Sequence, residues 1–189
     1  SALGVLGLFS SCGAAGAFPA ILVAVGLGGV TMARNEIYRD ARGLWRDTVA
    51  KAPANARAHY NYALLTAEAG LESEAILHYE LVVRLQPRDA EARNKLAVAL
   101  LRRGASADAL RHLTAALRLQ PDYADAHNNL GIALAQAGRL AEALGHLEAV
   151  ARLRPDSFEA NFNLGNVLSQ LGRRTEAIAA YEKARRIKP

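Results

Sequence analysis

Residues 124–157 decide the fold, and they read A-D-A-H-N-N-L-G-I-A-L-A-Q-A-G-R-L-A-E-A-L-G-H-L-E-A-V-A-R-L-R-P-D-S. This pattern is typical of two short amphipathic helices with a glycine between them and a proline after the second. A spacing of 34 separates the members of three sets of residues: Pro53, Pro87, Pro121, Pro155 and Pro189; Gly70, Gly104, Gly138 and Gly172; Ala75, Ala109, Ala143 and Ala177. A strict period of this size predicts a solenoid, in which each unit buries its apolar face against the next.

Fixed positions within the period carry a family resemblance. With Ala124 as position 1, Leu130 and Gly131 fill positions 7 and 8, Ala143 fills position 20 and Pro155 fills position 32. This pattern resembles the tetratricopeptide repeat. The resemblance implies an all-α fold, a right-handed α-solenoid of helix pairs, with units at 56–89, 90–123, 124–157 and 158–189. Position 4 departs from the tryptophan of the family and holds His59, Arg93, His127 and Asn161.

The ends of the helices are also marked in the sequence. We call the first helix of each repeat the A helix and the second the B helix. Polar residues placed to cap A helices are Asn55, Asp89 and Asp122. The four glycines of the period are expected to end the A helices in the left-handed conformation.

Residues 1–33 contain no charged residue and no histidine. An uncharged run of this length exceeds the roughly 20 apolar residues that span a bilayer, so a transmembrane helix at about residues 14–33 is predicted. The alternative is a degenerate first repeat over residues 22–55, since Pro19 lies 34 residues before Pro53. Residues 34–55 read as a capping half repeat, with Trp45 at position 24 as a core residue.

Charge and composition exclude several classes of function. The net charge of +5 lies in the repeats as arginines interspersed with acidic residues, which does not favour nucleic acid as a partner. Arginines directly after the predicted span favour a cytoplasmic location for the repeats. Cys12 is the single cysteine, so neither a disulfide framework nor a cysteine zinc site is expected.

The last helix, at 174–188, is expected to expose an apolar face that a packing partner would cover.

No catalytic constellation or cofactor motif is found in the sequence, and no cofactor is expected. His78, His112 and His146 all occupy position 23, and a row of histidines is one pattern that binds metal. The structural interpretation, partly exposed rings beside the buried position 24, is favoured, so no metal is predicted. Arg84, Arg118, Arg152 and Arg186 occupy position 29, where a cation complements the helix dipole.

A row of amides is the predicted binding site. Position 6 holds Asn61, Lys95, Asn129 and Asn163, and position 5 adds Asn94 and Asn128. In the family the A helices line a concave groove for extended peptides, and a similar asparagine row in O-linked N-acetylglucosamine transferases holds a peptide backbone. The predicted groove residues are these six together with Tyr60, Phe162 and Asn166. The alternative, that these amides bond neighbouring repeats to each other, remains open.

Two functions follow from these observations. The first is a membrane-tethered scaffold that binds a protein or peptide in the groove and performs no chemistry. The second rests on a further resemblance: the order of an apolar segment, R-N-E-I-Y-R-D-A-R-G-L-W-R-D-T-V at 34–49 and P-A-N-A-R-A-H-Y-N at 53–61 is similar to membrane O-mannosyltransferases with C-terminal tetratricopeptide repeats. That resemblance implies that the chain selects an acceptor protein and that catalytic residues lie upstream. It also implies that the repeats lie on the lumenal or periplasmic side, so the side of the membrane stays open. Only Lys95 is a cation in the amide row, so acidic C-terminal tails are not the expected ligand.

Overall fold

Residues 41–188 are described by a computed structural model, and this part of the chain is built from α-helices without strands. Its elements are α1 (Ala41–Lys51), α2 (Ala56–Glu68), α3 (Glu72–Leu85), α4 (Ala90–Arg102), α5 (Ser106–Leu119), α6 (Ala124–Gln136), α7 (Leu140–Leu153), α8 (Phe158–Gln170) and α9 (Arg174–Ile187). The A helices are α2, α4, α6 and α8, and the B helices are α3, α5, α7 and α9. The all-helical repeat solenoid expected from the period is confirmed.

Two expectations fall on residues that the structure does not describe. The predicted membrane span at 14–33 lies outside the described range, and so does the first helix of the alternative degenerate repeat. Within residues 41–188, no helix has the length and apolar character needed to cross a bilayer.

The core lies between the A and B helices of each repeat. Position 20 holds an alanine that is at most 3% exposed in every repeat, and the position-24 residues of the first three repeats, Tyr79, Leu113 and Leu147, are at most 2% exposed. Position 8 must be small for the two helices to approach. A Cβ added to Gly131 would lie 2.8 Å from Cγ of Leu147. Small residues at positions 8 and 20 therefore set the distance between the two helices, and the residue at position 24 fills the space between them.

Successive helices pack against each other along the chain, and the A helices also touch the A helix of the next repeat: α4 contacts α6, and α6 contacts α8. Contact of this extent is not found between B helices of neighbouring repeats in the described residues. The A helices therefore form one continuous side of the solenoid.

Side chains cap three of the four A helices: the predicted Asn55 and Asp89, and Ser157, which was not predicted. Side-chain oxygens of Asn55, Asp89 and Ser157 accept hydrogen bonds from backbone N–H groups of the first turn at 2.9–3.2 Å. The expectation for Asp122 was wrong, because the residue that caps α6 is Tyr123, whose side chain makes no capping bond. In this repeat the acidic residue comes directly after the proline, one position earlier than in the preceding repeat.

The glycine between the helices of each repeat has a φ of +75° to +84°, as the sequence predicted. At Gly138 nothing lies within 4 Å of an added Cβ, so the cost of a side chain there is conformational and not steric. We expect Gly138→Ala to lower the free energy of unfolding by about 1–2 kcal/mol. The matched control is Gly145→Ala, a helix-interior site that is equally open. It should raise that free energy by about 0.5–1 kcal/mol. Urea denaturation of both variants checks the pair, and equal effects would contradict the assignment.

The two ends of the described solenoid are less buried than its middle. Trp45 is half-buried in α1, whereas the residues at position 24 of the first three repeats are fully buried. At the other end Ile178 is 51% exposed on α9, next to a cavity that it lines with Ala177 and Tyr181. Ile178 is thus an exposed apolar side chain on the last helix, and an apolar face that a packing partner covers there stays a prediction.

Candidate peptide-binding face

The continuous side formed by the A helices presents the side chains at positions 5, 6, 9 and 13. We call this surface the A-helix face. Positions 6, 9 and 13 lie three or four residues apart and so point in one direction from each helix, and position 5, four residues before position 9, borders them. The predicted groove residues occupy positions 5, 6 and 9 of this face.

Two amide bonds connect neighbouring repeats across the A-helix face. Asn129 Nδ2 donates to Asn94 Oδ1 at 2.9 Å, and Asn163 Nδ2 donates to Asn128 Oδ1 at 3.0 Å. In each bond position 6 of one repeat meets position 5 of the repeat before it. The sequence left open the alternative that these amides bond neighbouring repeats to each other. For these four side chains the structure shows that arrangement. An asparagine amide has two donors and an acceptor, so one bridge leaves bonding capacity on Asn128, Asn129 and Asn163.

Asn94 is the exception within this row. It is 4% exposed, and its amide also donates to the Tyr123 hydroxyl at 3.4 Å, so it lies beneath the face. The bridges stop between the first two repeats, because Tyr60 replaces asparagine at position 5 and its hydroxyl donates to Glu91. Burial and this carboxylate raise the pKa of Tyr60 well above its ordinary value. Asn61 and Lys95 are half-buried and make no hydrogen bond or ion pair with other residues of the described range.

A cavity of about 250 Å³ opens on the A-helix face between α6 and α8. Its apolar lining consists of Ile132, Ala135, Leu147 and Val167, and its polar lining consists of Gln136, Asn163, Asn166 and Gln170. The sequence predicted Asn163 and Asn166 but missed the two glutamines. Both glutamines are at position 13, seven residues after position 6 and on the same side of the helix, so the repeat alignment contained the signal.

Aromatic residues lie close to the amides of the fourth repeat. The hydroxyl of Tyr181 donates to Asn166 Oδ1 at 2.8 Å, which fixes the amide with its N–H groups unused. Phe162 is 42% exposed and its ring lies 5.6 Å from that of Phe158 and 5.7 Å from that of Tyr181. An exposed aromatic ring beside free amide donors offers both apolar contact and hydrogen bonds to a polypeptide.

Charge is distributed unevenly along the A-helix face. None of the residues that line the cavity between α6 and α8 is charged. The cation predicted in the row, Lys95, lies in the second repeat, and Arg102 at position 13 of that repeat bonds Glu72 at 3.2 Å. The cavity end of the face therefore suits an uncharged segment of a ligand.

The described residues do not bring together three His, Cys, Asp or Glu side chains that could hold a metal ion. The position-23 histidines do not face one another across repeats. His78 instead contacts His59, and His146 contacts His127, each within its own repeat. The sequence missed these pairs, although His59 and His127 share position 4.

Comparison with known proteins agrees with the period. The tetratricopeptide repeat family matches residues 32–90, 74–110, 94–149 and 122–189. Among curated proteins, the human protein O-mannosyl-transferase TMTC1 is 41% identical over 58 residues. That match covers 31% of this chain and 7% of the human protein, so the chain corresponds to a small part of its relative.

Solved structures with the same fold include two that cover 85% of this chain. MamA superposes with a TM-score of 0.74 at 23% identity over 94% of its own chain. YrrB, described as a TPR protein with an unusual peptide-binding site, superposes with a TM-score of 0.68 at 24% identity over 82% of its chain. The first TPR of Spaghetti (RPAP3), bound to an HSP90 peptide, covers 62% of this chain and 93% of its own, with a TM-score of 0.60 at 26% identity.

Proposed function

Because the chain belongs to the tetratricopeptide repeat family, we propose that it is a scaffold whose A-helix face binds an extended polypeptide segment. The observation that carries this proposal is the cavity between α6 and α8, with its apolar floor and a rim of amides. A main chain presents one donor and one acceptor per residue, and an amide side chain can bond to both. The rim therefore suits a peptide backbone of any sequence.

The size of the cavity supports a peptide side chain as its occupant. At about 250 Å³ it lies below the roughly 300–1,000 Å³ of small-molecule sites. One aliphatic or aromatic side chain would rest on Ile132 and Val167, while the flanking backbone would reach Asn163 and Gln170. Since the lining carries no charge, the side chain in this position would be uncharged.

The experiment is selection of peptides from a random displayed library against the chain, followed by measurement of their affinities. We expect enriched peptides that share an uncharged apolar residue and bind with micromolar dissociation constants. They should lack the acidic C-terminal sequences that a row of cations would select. A library that yields no enrichment over an unrelated helical protein would contradict the proposal.

A second candidate function is supported by the relative in the curated proteins. We propose, as the alternative, that the chain is the acceptor-binding part of a membrane O-mannosyltransferase, since 58 residues are 41% identical to human TMTC1. In that case the A-helix face would choose the acceptor protein, and transfer would occur in other parts of the parent chain. A parent sequence with several upstream membrane spans would support this alternative, and one without them would exclude it.

We also propose that residues 14–33 tether the scaffold to a membrane, because residues 1–33 are uncharged. Carbonate washing should leave the chain in the membrane pellet. Replacing Leu22 and Val25 with arginine should release it, since each charge costs about 2.5–3.5 kcal/mol at the centre of a bilayer. Release of the unaltered chain would favour the degenerate-repeat alternative for this segment.

A further inference from the structure

Position 4 of every A helix in the described range donates a hydrogen bond to the carbonyl of the proline at position 32 of the preceding unit. His59 Nε2 lies 3.0 Å from the Pro53 oxygen, and His127 Nε2 lies 2.8 Å from the Pro121 oxygen. The other two repeats use side chains that do not titrate near neutral pH. Arg93 reaches Pro87 with Nη2 at 2.8 Å, and Asn161 Nδ2 reaches Pro155 at 3.1 Å. Position 4 therefore joins each A helix to the preceding unit.

In the first and third repeats the same histidine also meets the B helix. His59 Nδ1 lies 2.7 Å from His78 Nδ1, and His127 Nδ1 lies 3.0 Å from His146 Nδ1. We call these two contacts the histidine pairs. A carbonyl only accepts, so Nε2 of His59 and of His127 must carry the proton. Their Nδ1 atoms are then acceptors, and His78 and His146 donate with Nδ1–H.

This arrangement has room for one added proton in each pair but not for two. A first proton can occupy the other ring nitrogen of His78 or His146 without breaking a hydrogen bond. A second would place N–H groups on both Nδ1 atoms and two positive rings with centroids 5.0–5.2 Å apart. Two interacting histidines titrate as a unit, so the second step is displaced to lower pH.

Groups around the first pair do not supply a full countercharge. Burial, and then the charge of His59, lowers the pKa of His78, while Glu74 on α3 acts in the opposite direction. The Glu74 carboxylate already accepts from the Tyr62 hydroxyl at 2.7 Å, and the Tyr62 ring packs on His78 with centroids 4.8 Å apart. The α1 residues whose charges act on Tyr62 are Arg42 and Arg46, and both are positively charged.

The second pair has a similar environment. Burial, and then the charge of His127, lowers the pKa of His146, and Glu142 on α7 opposes this change. Arg139 binds the Glu142 carboxylate with both Nε and Nη2 at 2.7 Å. Arg118 on α5 and His146 line a second cavity, which is separate from the one on the A-helix face. Neither pair thus has a free carboxylate dedicated to a second proton.

We infer that the two histidine pairs make the solenoid acid-sensitive: as pH falls below about 6, uptake of a second proton by a pair breaks the contacts that join α2 to α3 and α6 to α7. The sign follows from proton binding. The unfolded chain binds a proton on each histidine near pH 6.5, whereas each folded pair excludes at least one, so stability is complete above that pH and is lost as pH falls. Because α6 forms one wall of the cavity on the A-helix face, a ligand held in that cavity would also be released. This consequence rests on the proposed function.

The test compares two chains in buffer with EDTA. His112→Ala removes the unpaired position-23 histidine, whose Nδ1 is buried without a partner, and leaves the pairs as the chain's only histidines. The second chain adds His59→Asn, His78→Ala, His127→Asn and His146→Ala, which copies the Asn161 and Ala180 arrangement of the fourth repeat. From about pH 7 to about pH 5, the folding equilibrium constant of the first chain should fall about thirtyfold per excluded proton, or about a thousandfold for two pairs. The second chain should change less than about tenfold over the same interval.

An equal fall in both chains would overturn the inference, as would a fall below about threefold in the first. Ring-nitrogen NMR of the His112→Ala chain provides a measurement that needs no further substitution. We expect Nδ1–H on His78 and His146, Nε2–H on His59 and His127, and fewer than two protons taken up by each folded pair down to about pH 5. Four independent titrations near pH 6.5 in the folded chain would overturn the inference.

Discussion

Replacing Leu113 with alanine is expected to lower the free energy of unfolding by about 2–5 kcal/mol. Leu113 has no exposed surface, occupies position 24 of the second repeat and lies in the core cluster with the equally buried Ala97 and Ala109. Removal of its side chain leaves a cavity between α4 and α5 that two short neighbouring alanines cannot fill. Urea denaturation at neutral pH measures the change.

The matched control for Leu113 is Leu77→Ala. Leu77 is 64% exposed on α3, so its truncation should change the free energy of unfolding by no more than about 0.5 kcal/mol. Similar losses at the two leucines would mean that position 24 is not the centre of the repeat core, and the packing described above would be wrong.

Replacing Gln136 and Gln170 together with alanine is expected to weaken the binding of selected peptides. The two glutamines lie on the rim of the cavity between α6 and α8, are exposed, and make no hydrogen bond with other residues of the described range. Each amide bond to a ligand contributes about 0.5–1.5 kcal/mol net. If each glutamine makes one or two such bonds, the loss is about 1–6 kcal/mol, or roughly fivefold to twenty-thousandfold in affinity. Fluorescence anisotropy with a labelled peptide measures the change.

Folding should not suffer in this double variant, because alanine is the better helix former at both sites. The control is Gln86→Ala with Gln120→Ala, two exposed glutamines that follow B helices and do not line the cavity. Their replacement should leave the affinity within about twofold. Equal losses in the two double variants would show that the peptide does not bind through the rim.

Most of the fold could be predicted from the repeat period. Fixed spacing predicted the helix pairs and the left-handed glycines, because both depend on local conformation. Asp122 shows the limit of this reasoning. The N-cap follows the proline by two residues in every repeat, so in the third repeat it is Tyr123, and Asp122 lies one residue too early to cap the helix.

The site was predicted less completely because its contacts connect different repeats. Whether Asn129 faces a ligand or bonds Asn94 depends on the rotation between neighbouring A helices, which one repeat does not specify. The histidine pairs depend in the same way on the approach of α2 to α3 and of α6 to α7. Position 4 was read as a departure from tryptophan, and its hydrogen bond to the preceding proline became visible only in three dimensions.

Site-specific photo-crosslinking tests the proposed function most directly. A photoreactive residue is placed at Gln136, on the rim of the cavity in the A-helix face, or at Glu148, exposed on α7 and outside that cavity, and the selected peptide is added before irradiation. The A-helix proposal predicts a peptide adduct from Gln136 and none from Glu148. An adduct from Glu148 without one from Gln136 would contradict the assignment of the A-helix face as the binding site.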